Sequence, residues 1–162
     1  MVLEVMKTTT DPSMPITQTN GHHTDETVLV KALIIDDDKT NRQLFARVIQ
    51  SYGYDVLTVT NGKEARRTVE TENVNIILLD VMMPDENGFE ICRKFKRQPK
   101  TSEIPIILMT ALFDPQSRSE ASLAGANAFF SKPFDMDELR GVMQKLTSNH
   151  KTESSVTKYP QT

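Results

Sequence analysis

The sequence predicts a doubly wound α/β domain, a parallel sheet with helices on both faces. Five short apolar runs alternate with five stretches of helical periodicity. Three of the runs are apolar at nearly every position, which suits strands covered on both faces rather than strands with one wet side. Strict alternation implies βαβ units with right-handed crossovers. For a (βα)5 chain the common strand order is 2-1-3-4-5, with a crevice outside the carboxyl ends of strands 1 and 3, where the winding reverses.

The elements follow in order. Leu29-Val-Lys-Ala-Leu-Ile-Ile35 reads as the first strand, and Leu44, Phe45, Val48, Ile49 and Tyr52 recur behind it at helical spacing. Val56–Val59 is the second strand, and Ala65 and Val69 mark its helix. Ile76–Leu79 is the third, followed by Phe89, Cys92 and Phe95 on one helical face. Ile104–Met109 is the fourth; Asp114-Pro115 then suits an N-cap with proline at the first helical position, for a helix ending near Gly125. Ala128–Phe130 is the fifth, and Asp135 with Glu138 three residues on reads as the capping box of the last helix, whose inner face is Leu139, Val142, Met143 and Leu146. The expected architecture is a flavodoxin-like three-layer sandwich over residues 29–147.

Residues 1–28 hold Thr8-Thr-Thr10, Pro12, Pro15 and Asn20-Gly21 without any apolar period, and 148–162 is Ser, Thr, Lys and Pro with almost nothing apolar. Neither stretch buries enough surface to offset its ordering entropy, so both read as disordered tails. The net charge of −3 lacks the basic excess of a nucleic-acid binder. No apolar run approaches the ~20 residues of a membrane span. The start, Met1–Lys7, has Glu4 inside its only apolar stretch, unlike a secretory signal. One cysteine, Cys92, excludes an intramolecular disulfide and a Cys-based zinc site. A cytoplasmic protein without direct nucleic-acid or membrane contact is expected. His22-His23 and His150 lie beyond the core and read as incidental, and the Arg66-Arg67 and Arg93–Arg97 clusters read as solvated helix faces.

The strand ends are more specific. The first strand runs into Asp36-Asp37-Asp38, the third into Asp80, the fourth into Thr110-Ala111 and the fifth into Ser131-Lys132-Pro133. The predicted topology puts all four ends on one edge. Two carboxylates about 4 Å apart repel by roughly 4 kcal/mol at a surface-like dielectric. Raised pKa values, a lysine or a hard cation must compensate, and oxygen ligands of this kind suit Mg²⁺. Lys132 is a point charge able to meet a phosphoryl oxygen, and Thr110 can donate a hydrogen bond to one. Phosphoryl transfer needs little beyond such positioning and charge neutralisation. Taken singly, each residue has a plainer reading: an Asp after a strand is commonly a cap or turn residue. Their joint placement at four strand ends is what points to a site.

The motifs Ile34-Ile-Asp-Asp-Asp38, Leu78-Leu-Asp-Val-Met-Met-Pro-Asp-Glu-Asn-Gly-Phe-Glu90, Pro105-Ile-Ile-Leu-Met-Thr-Ala111 and Ala124-Gly-Ala-Asn-Ala-Phe-Phe-Ser-Lys-Pro-Phe134, in this order and spacing, resemble the receiver domain of two-component response regulators. The resemblance covers nearly all of residues 30–147. It implies that Asp80 is the phosphoacceptor and that Asp36, Asp37, Asp80 and the backbone carbonyl of Met82 hold Mg²⁺. It implies that Lys132 pairs with the phosphoryl group, across a cis peptide to Pro133. Thr110 and the aromatic Phe129 would be the switch pair, and Pro84 and Gly88 would shape the loop after the third strand. Donors would be a histidine kinase or a histidine-phosphotransfer protein, and the protein would catalyse only its own phosphorylation and dephosphorylation. The output face would be the fourth helix, fifth strand and fifth helix, on a monomer or a weak phosphorylation-dependent dimer. The roughly 15 residues after the last helix are too few for an output domain, so a single-domain regulator is expected. Met82 and Leu112, two residues beyond Asp80 and Thr110, are apolar where relatives carry residues that tune self-dephosphorylation, and a longer-lived phosphoryl state is expected. The alternative is a phosphorelay intermediate or phosphate sink with no output partner. A haloacid-dehalogenase-type phosphatase would need an Asp at Met82, and a flavodoxin would need a Ser/Thr/Gly-rich loop in place of the three acids.

Overall fold

The computed structural model describes residues 29–112 and 114–148. The stretches 1–28 and 149–162, read from the sequence as tails, lie outside the described residues, as do His22, His23 and His150. The elements are β1 (Lys31–Ile35), α1 (Lys39–Ser51), β2 (Asp55–Val59), α2 (Gly62–Thr71), β3 (Ile76–Asp80), α3 (Gly88–Arg97), β4 (Ile106–Thr110), α4 (Pro115–Leu123), β5 (Ala128–Ser131) and α5 (Met136–Thr147). The sheet is parallel in the order β2-β1-β3-β4-β5. Element number, type and strand order match the sequence reading.

Three strand starts differ from it. β1 begins at Lys31, the first residue in register with β2, and Leu29 before it is half exposed. β2 begins one residue earlier than read, at Asp55, whose N–H donates to Val30 O at 3.0 Å. β4 begins at Ile106, after Pro105. A proline has no N–H for a ladder, and here only its carbonyl is used, accepting from Ile77 N–H at 2.9 Å.

The three central strands are buried along nearly their whole length, whereas the edge strand β2 is partly exposed. Side chains alternate across the pleat into two cores. Leu33, Ile35, Ile77, Leu79, Ile106 and Leu108 face α2, α3 and α4, against Ala65, Val69, Cys92, Phe95 and Ala121. Ala32, Ile34, Ile76, Leu78, Ile107 and Met109 face α1 and α5, against Phe45, Ile49, Leu139 and Met143. Fully burying one such aliphatic chain stabilises the fold by roughly 1.5–3 kcal/mol. Cys92 is wholly buried and its Sγ donates to Ala124 O, so it serves as a small apolar residue.

Every helix begins on an Asn or Asp side chain that accepts a first-turn N–H: Asp38, Asn61, Asn87, Asp114 and Asp135. Such a cap contributes typically ~1 kcal/mol. All five helix starts follow a carboxyl strand end, and the four after β1, β3, β4 and β5 fix the loops of the predicted crevice. Lys96 departs from the solvated-face reading: its stem packs near Gly125 and its ammonium donates to Ser102 O and Ile104 O.

Among the described glycines, the tightest approach to backbone is at Gly88, whose N–H donates to Val81 O at 2.9 Å. A Cβ there would overlap the Asp80 carbonyl oxygen and lie 2.6 Å from Val81 Cα. Backbone cannot yield as a flexible side chain can. Gly88→Ala is therefore expected to destabilise by about 2 kcal/mol and lower the thermal midpoint by roughly 4–8 °C. Gly141→Ala in α5, where nothing lies within 4 Å, is expected to raise stability by roughly 0.5–1 kcal/mol. Calorimetry on both variants checks the contrast.

Candidate functional site

The carboxyl ends of β1, β3, β4 and β5 meet on one edge. Asp36, Asp37 and Asp80 each offer an oxygen there, and these oxygens lie within 4.8 Å of one another. Asp36 is fully buried, Asp80 nearly so, and Asp37 is exposed. Asp38, the third acid of the run, turns away from the cluster: its carboxylate caps α1, accepting from Asn41 N–H at 2.8 Å. The run thus divides between the site and a cap.

Each side chain is held locally. Asp36 Oδ1 accepts from Asp38 N–H at 2.8 Å, and Asp80 Oδ1 accepts from Met82 N–H at 3.1 Å. Arg42 donates to the carbonyl of Asp36 at 2.7 Å, pinning the end of β1 from the first turn of α1. Thr110 is buried, and its Oγ1 accepts from Leu112 N–H at 3.0 Å. Lys132 N–H donates to Thr110 O at 2.7 Å, and the Lys132–Pro133 peptide is cis. Phe134 then stacks on Phe45 of α1, ring centroids 5.8 Å apart. Lys132 Nζ lies 5.6 Å from the same Phe45 ring centroid and 3.6 Å from both Asp36 Oδ2 and Asp80 Oδ2.

Among the described residues, Asp36 Oδ2 is the one buried side-chain oxygen with no hydrogen-bond partner; Lys132 reaches it as an ion pair, beyond hydrogen-bond length. Burial raises the Asp36 carboxyl, and the Asp38 N–H and Lys132 offset this only in part, while Asp80 and Asp37 add to it. Burial raises Asp80 as well, against Lys132 and the Met82 N–H. An orphaned oxygen beside two further carboxylates is the donor set of a hard divalent cation with room for waters. The residues therefore fit a metal of the Mg²⁺ type.

The other residues singled out by sequence are nearby. Met82 is 54% exposed and Leu112 is partly buried against the core. Phe129 is half-buried on β5, and the Arg118 guanidinium lies 5.9 Å from its ring centroid. Both line a groove of about 250 Å³ with Asp114, Pro115 and Ser131.

Several supports escaped the sequence reading. Arg42 carried no signal of its own; Phe45 read only as core-facing on the first helix and Phe134 only as the end of the Ala124–Phe134 motif, so their stacking was not foreseen. Arg66 and Lys94, read as solvated, both bind Glu86, and Arg93 pairs with Glu120. Their partners are distant in sequence, so charge clustering alone could not reveal them.

A doubly wound domain with an acidic cluster, a hydroxyl and an ammonium at its switch point defines a class of cation-assisted phosphate chemistry. The chain belongs to the response regulator receiver domain family, whose sequence model matches residues 32–144. It is 34% identical over 116 residues to a probable transcriptional regulator, ycf27, of Cyanophora paradoxa, covering 72% of this chain and 47% of that protein. Among solved structures, the chemotaxis protein CheY4 of Vibrio cholerae is 30% identical with a TM-score of 0.68, covering 73% of this chain and 98% of that one. The signal receiver domain of a signal transduction histidine kinase from Syntrophus aciditrophicus is 32% identical with a TM-score of 0.71, covering 81% and 99%. The chain spans about half the length of the curated relatives it matches first. Receiver domains act as phosphorylation-controlled signalling switches in two-component systems. Among the described residues, no helix is long and apolar enough to cross a membrane.

The charge crowding has a measurable consequence. A carboxyl whose folded pKa exceeds its unfolded value binds its proton more tightly when folded, so stability falls as pH rises through the carboxylate range. At neutral pH without divalent cations, Asp36→Asn is expected to be more stable than wild type by on the order of 1 kcal/mol, roughly 4 °C in thermal midpoint. Adding Mg²⁺ should narrow the gap by stabilising wild type alone. Melting curves with Mg²⁺ and with EDTA check this; an Asp36→Asn variant less stable than wild type in EDTA would contradict it.

Proposed function

We propose that the protein is a phosphorylatable switch in which Asp80 accepts a phosphoryl group from the phosphohistidine of a histidine kinase or a histidine-phosphotransfer protein. The observation that carries this is the clustering of Asp36, Asp37 and Asp80 around an unpartnered buried oxygen, with Lys132 3.6 Å from two of them. An Asp80 oxygen attacks phosphorus, the P–N bond breaks, and its electron pair returns to the imidazole. Asp36, Asp37, Asp80 and the Met82 carbonyl would hold Mg²⁺, which neutralises phosphoryl charge when bound. Lys132 pairs with a phosphoryl oxygen. Thr110 donates its hydroxyl to another, giving up its bond to Leu112 N–H.

Phe129 is the proposed aromatic partner of Thr110. Its half-buried position beside a groove supports a ring that can repack when Thr110 moves, altering the α4–β5–α5 face for a downstream protein. In this reading the protein catalyses only its own phosphorylation and dephosphorylation, contacts neither nucleic acid nor membrane directly, works in the cytoplasm, and is a monomer or a weak dimer formed on phosphorylation. A relative named as a transcriptional regulator and a neighbour that is a histidine kinase's own receiver domain keep a second reading in view: a relay intermediate or phosphate sink. The two differ in whether phosphorylation changes affinity for a third protein.

Acetyl phosphate with Mg²⁺ should add one phosphoryl group to wild type by intact mass, and none to Asp80→Asn or in EDTA. No addition to a folded wild type, from acetyl phosphate or a histidine-kinase donor, would reject the reading. The apolar Met82 and Leu112 offer nothing to orient an attacking water. Met82→Asn is therefore expected to shorten the phosphoryl lifetime by on the order of tenfold, a barrier change of ~1.4 kcal/mol. A decay assay after removal of donor measures it.

A further inference from the structure

The loop between β3 and α3 carries Met82, on which the proposed cation set depends. Gly88 N–H closes its ends onto Val81 O. Its middle is gripped through Glu86. That carboxylate accepts from Arg66 Nη1 of α2, at 3.1 Å to Oε2 and 3.3 Å to Oε1, and from Lys94 Nζ of α3 at 2.5 Å to Oε1. Glu86 is the least exposed of the three, at 16% against 34% and 53%. Burial pushes its carboxyl up, but the bonds from Lys94 and Arg66 together outweigh this and hold it below the usual range. The seat is shaped for it: a Cβ on Gly62, the first residue of α2, would overlap Glu86 Oε2 and lie 2.9 Å from Ile91 Cδ1. An isolated surface ion pair contributes little. A mostly buried carboxylate bound by two cations from two helices is a different case, because losing it frees the loop and leaves both cations without their partner.

We propose that Glu86 is a positioning residue for divalent-cation binding. Its clamp to Arg66 and Lys94 holds the loop so that Met82 stays beside Asp80, N–H on Oδ1, with its carbonyl left for the cation. Glu86 touches neither phosphate nor metal; it acts through the backbone of the loop. This rests on the receiver reading above and adds to it a residue on the outer side of the loop, which sets how tightly the cation is held.

The test is a Mg²⁺ titration of the full chain, followed by NMR shifts of the Asp80 and Met82 amides, for wild type, Glu86→Gln, Arg66→Met and Glu120→Gln. The last breaks an ion pair away from the loop, Arg93–Glu120, whose arginine is about as exposed as Arg66 and whose carboxylate is more exposed than Glu86. Glu86→Gln and Arg66→Met should weaken Mg²⁺ binding about tenfold, the low end for residues that support a metal ligand, and Glu120→Gln should not. The Mg²⁺ concentration for half-maximal phosphorylation by acetyl phosphate should rise by the same factor, with the loss recovered at saturating Mg²⁺. Amide exchange across Val81–Asn87 should quicken in the same two variants. Wild-type affinity in Glu86→Gln overturns the clamp alone. A wild type without Mg²⁺-dependent shifts overturns the receiver reading and the clamp with it. If Glu86→Gln does not fold, the Arg66→Met, Lys94→Met double variant carries the test from the other side.

Discussion

Asp36, Asp37 and Asp80 bring three negative charges within 4.8 Å, and Lys132 supplies one positive charge 3.6 Å from two of them. The sum is −3 + 1 = −2, held where Asp36 Oδ2 has no hydrogen-bond partner. At this range each like pair costs roughly 4 kcal/mol at a surface-like dielectric. The crowding persists because other parts of the fold over-determine it. Three central strands buried along nearly their whole length and two packed cores fix where the strand ends fall. Asp36 and Asp80, both buried, cannot retreat without disturbing the sheet, whereas Asp37 is exposed. A divalent cation brings the sum to zero, which is why the site suits one without any dedicated cage.

That division of labour explains what was legible in the sequence. Uninterrupted apolar runs such as Ile76–Leu79 betray strands buried on both faces, and the alternation of five runs with five helical patterns then leaves few topologies. Placing Asp36, Asp80, Thr110 and Lys132 together needed only that topology, because each ends a different strand. The individual acids of the 36–38 run were not separable on paper. Asp38 caps α1 while its two neighbours serve the cluster, and the difference is one of backbone direction after the strand ends. Glu86, Arg66 and Lys94 were opaque for another reason: their contact joins three elements through a loop, and no periodicity records it. The same holds for Phe45 and Phe134, whose stacking steers Lys132.

The loop after β3 is held at two places by glycines that admit close contact. Gly88 lets the start of α3 press on the backbone of Asp80 and Val81, and Gly62 leaves room for the Glu86 carboxylate. Both act by the absence of a Cβ, so what they position is backbone and a charged group rather than a hydrophobic side chain. A cation ligand supplied by a main-chain carbonyl needs this arrangement, since no rotamer change in Met82 can correct a misplaced peptide.

The other half of the site is balanced more lightly. In the proposed switch, moving Thr110 breaks one hydrogen bond to Leu112 N–H, worth about 1 kcal/mol net. Releasing Phe129 from Arg118 costs about another 0.5–1 kcal/mol, the range for an exposed cation–π contact. The total of about 2 kcal/mol corresponds to a few per cent of the rearranged form before phosphorylation. A phosphoryl group adds about −1.5 to −2 charge where a carboxylate had −1, and each hydrogen bond to it contributes about 1.5–3 kcal/mol. Bonds from Thr110 and Lys132 together exceed the 2 kcal/mol that opposes them. In this proposal the rigid, charge-crowded side would fix where the phosphoryl group sits, and the lightly held side would be the part that its charge is strong enough to move.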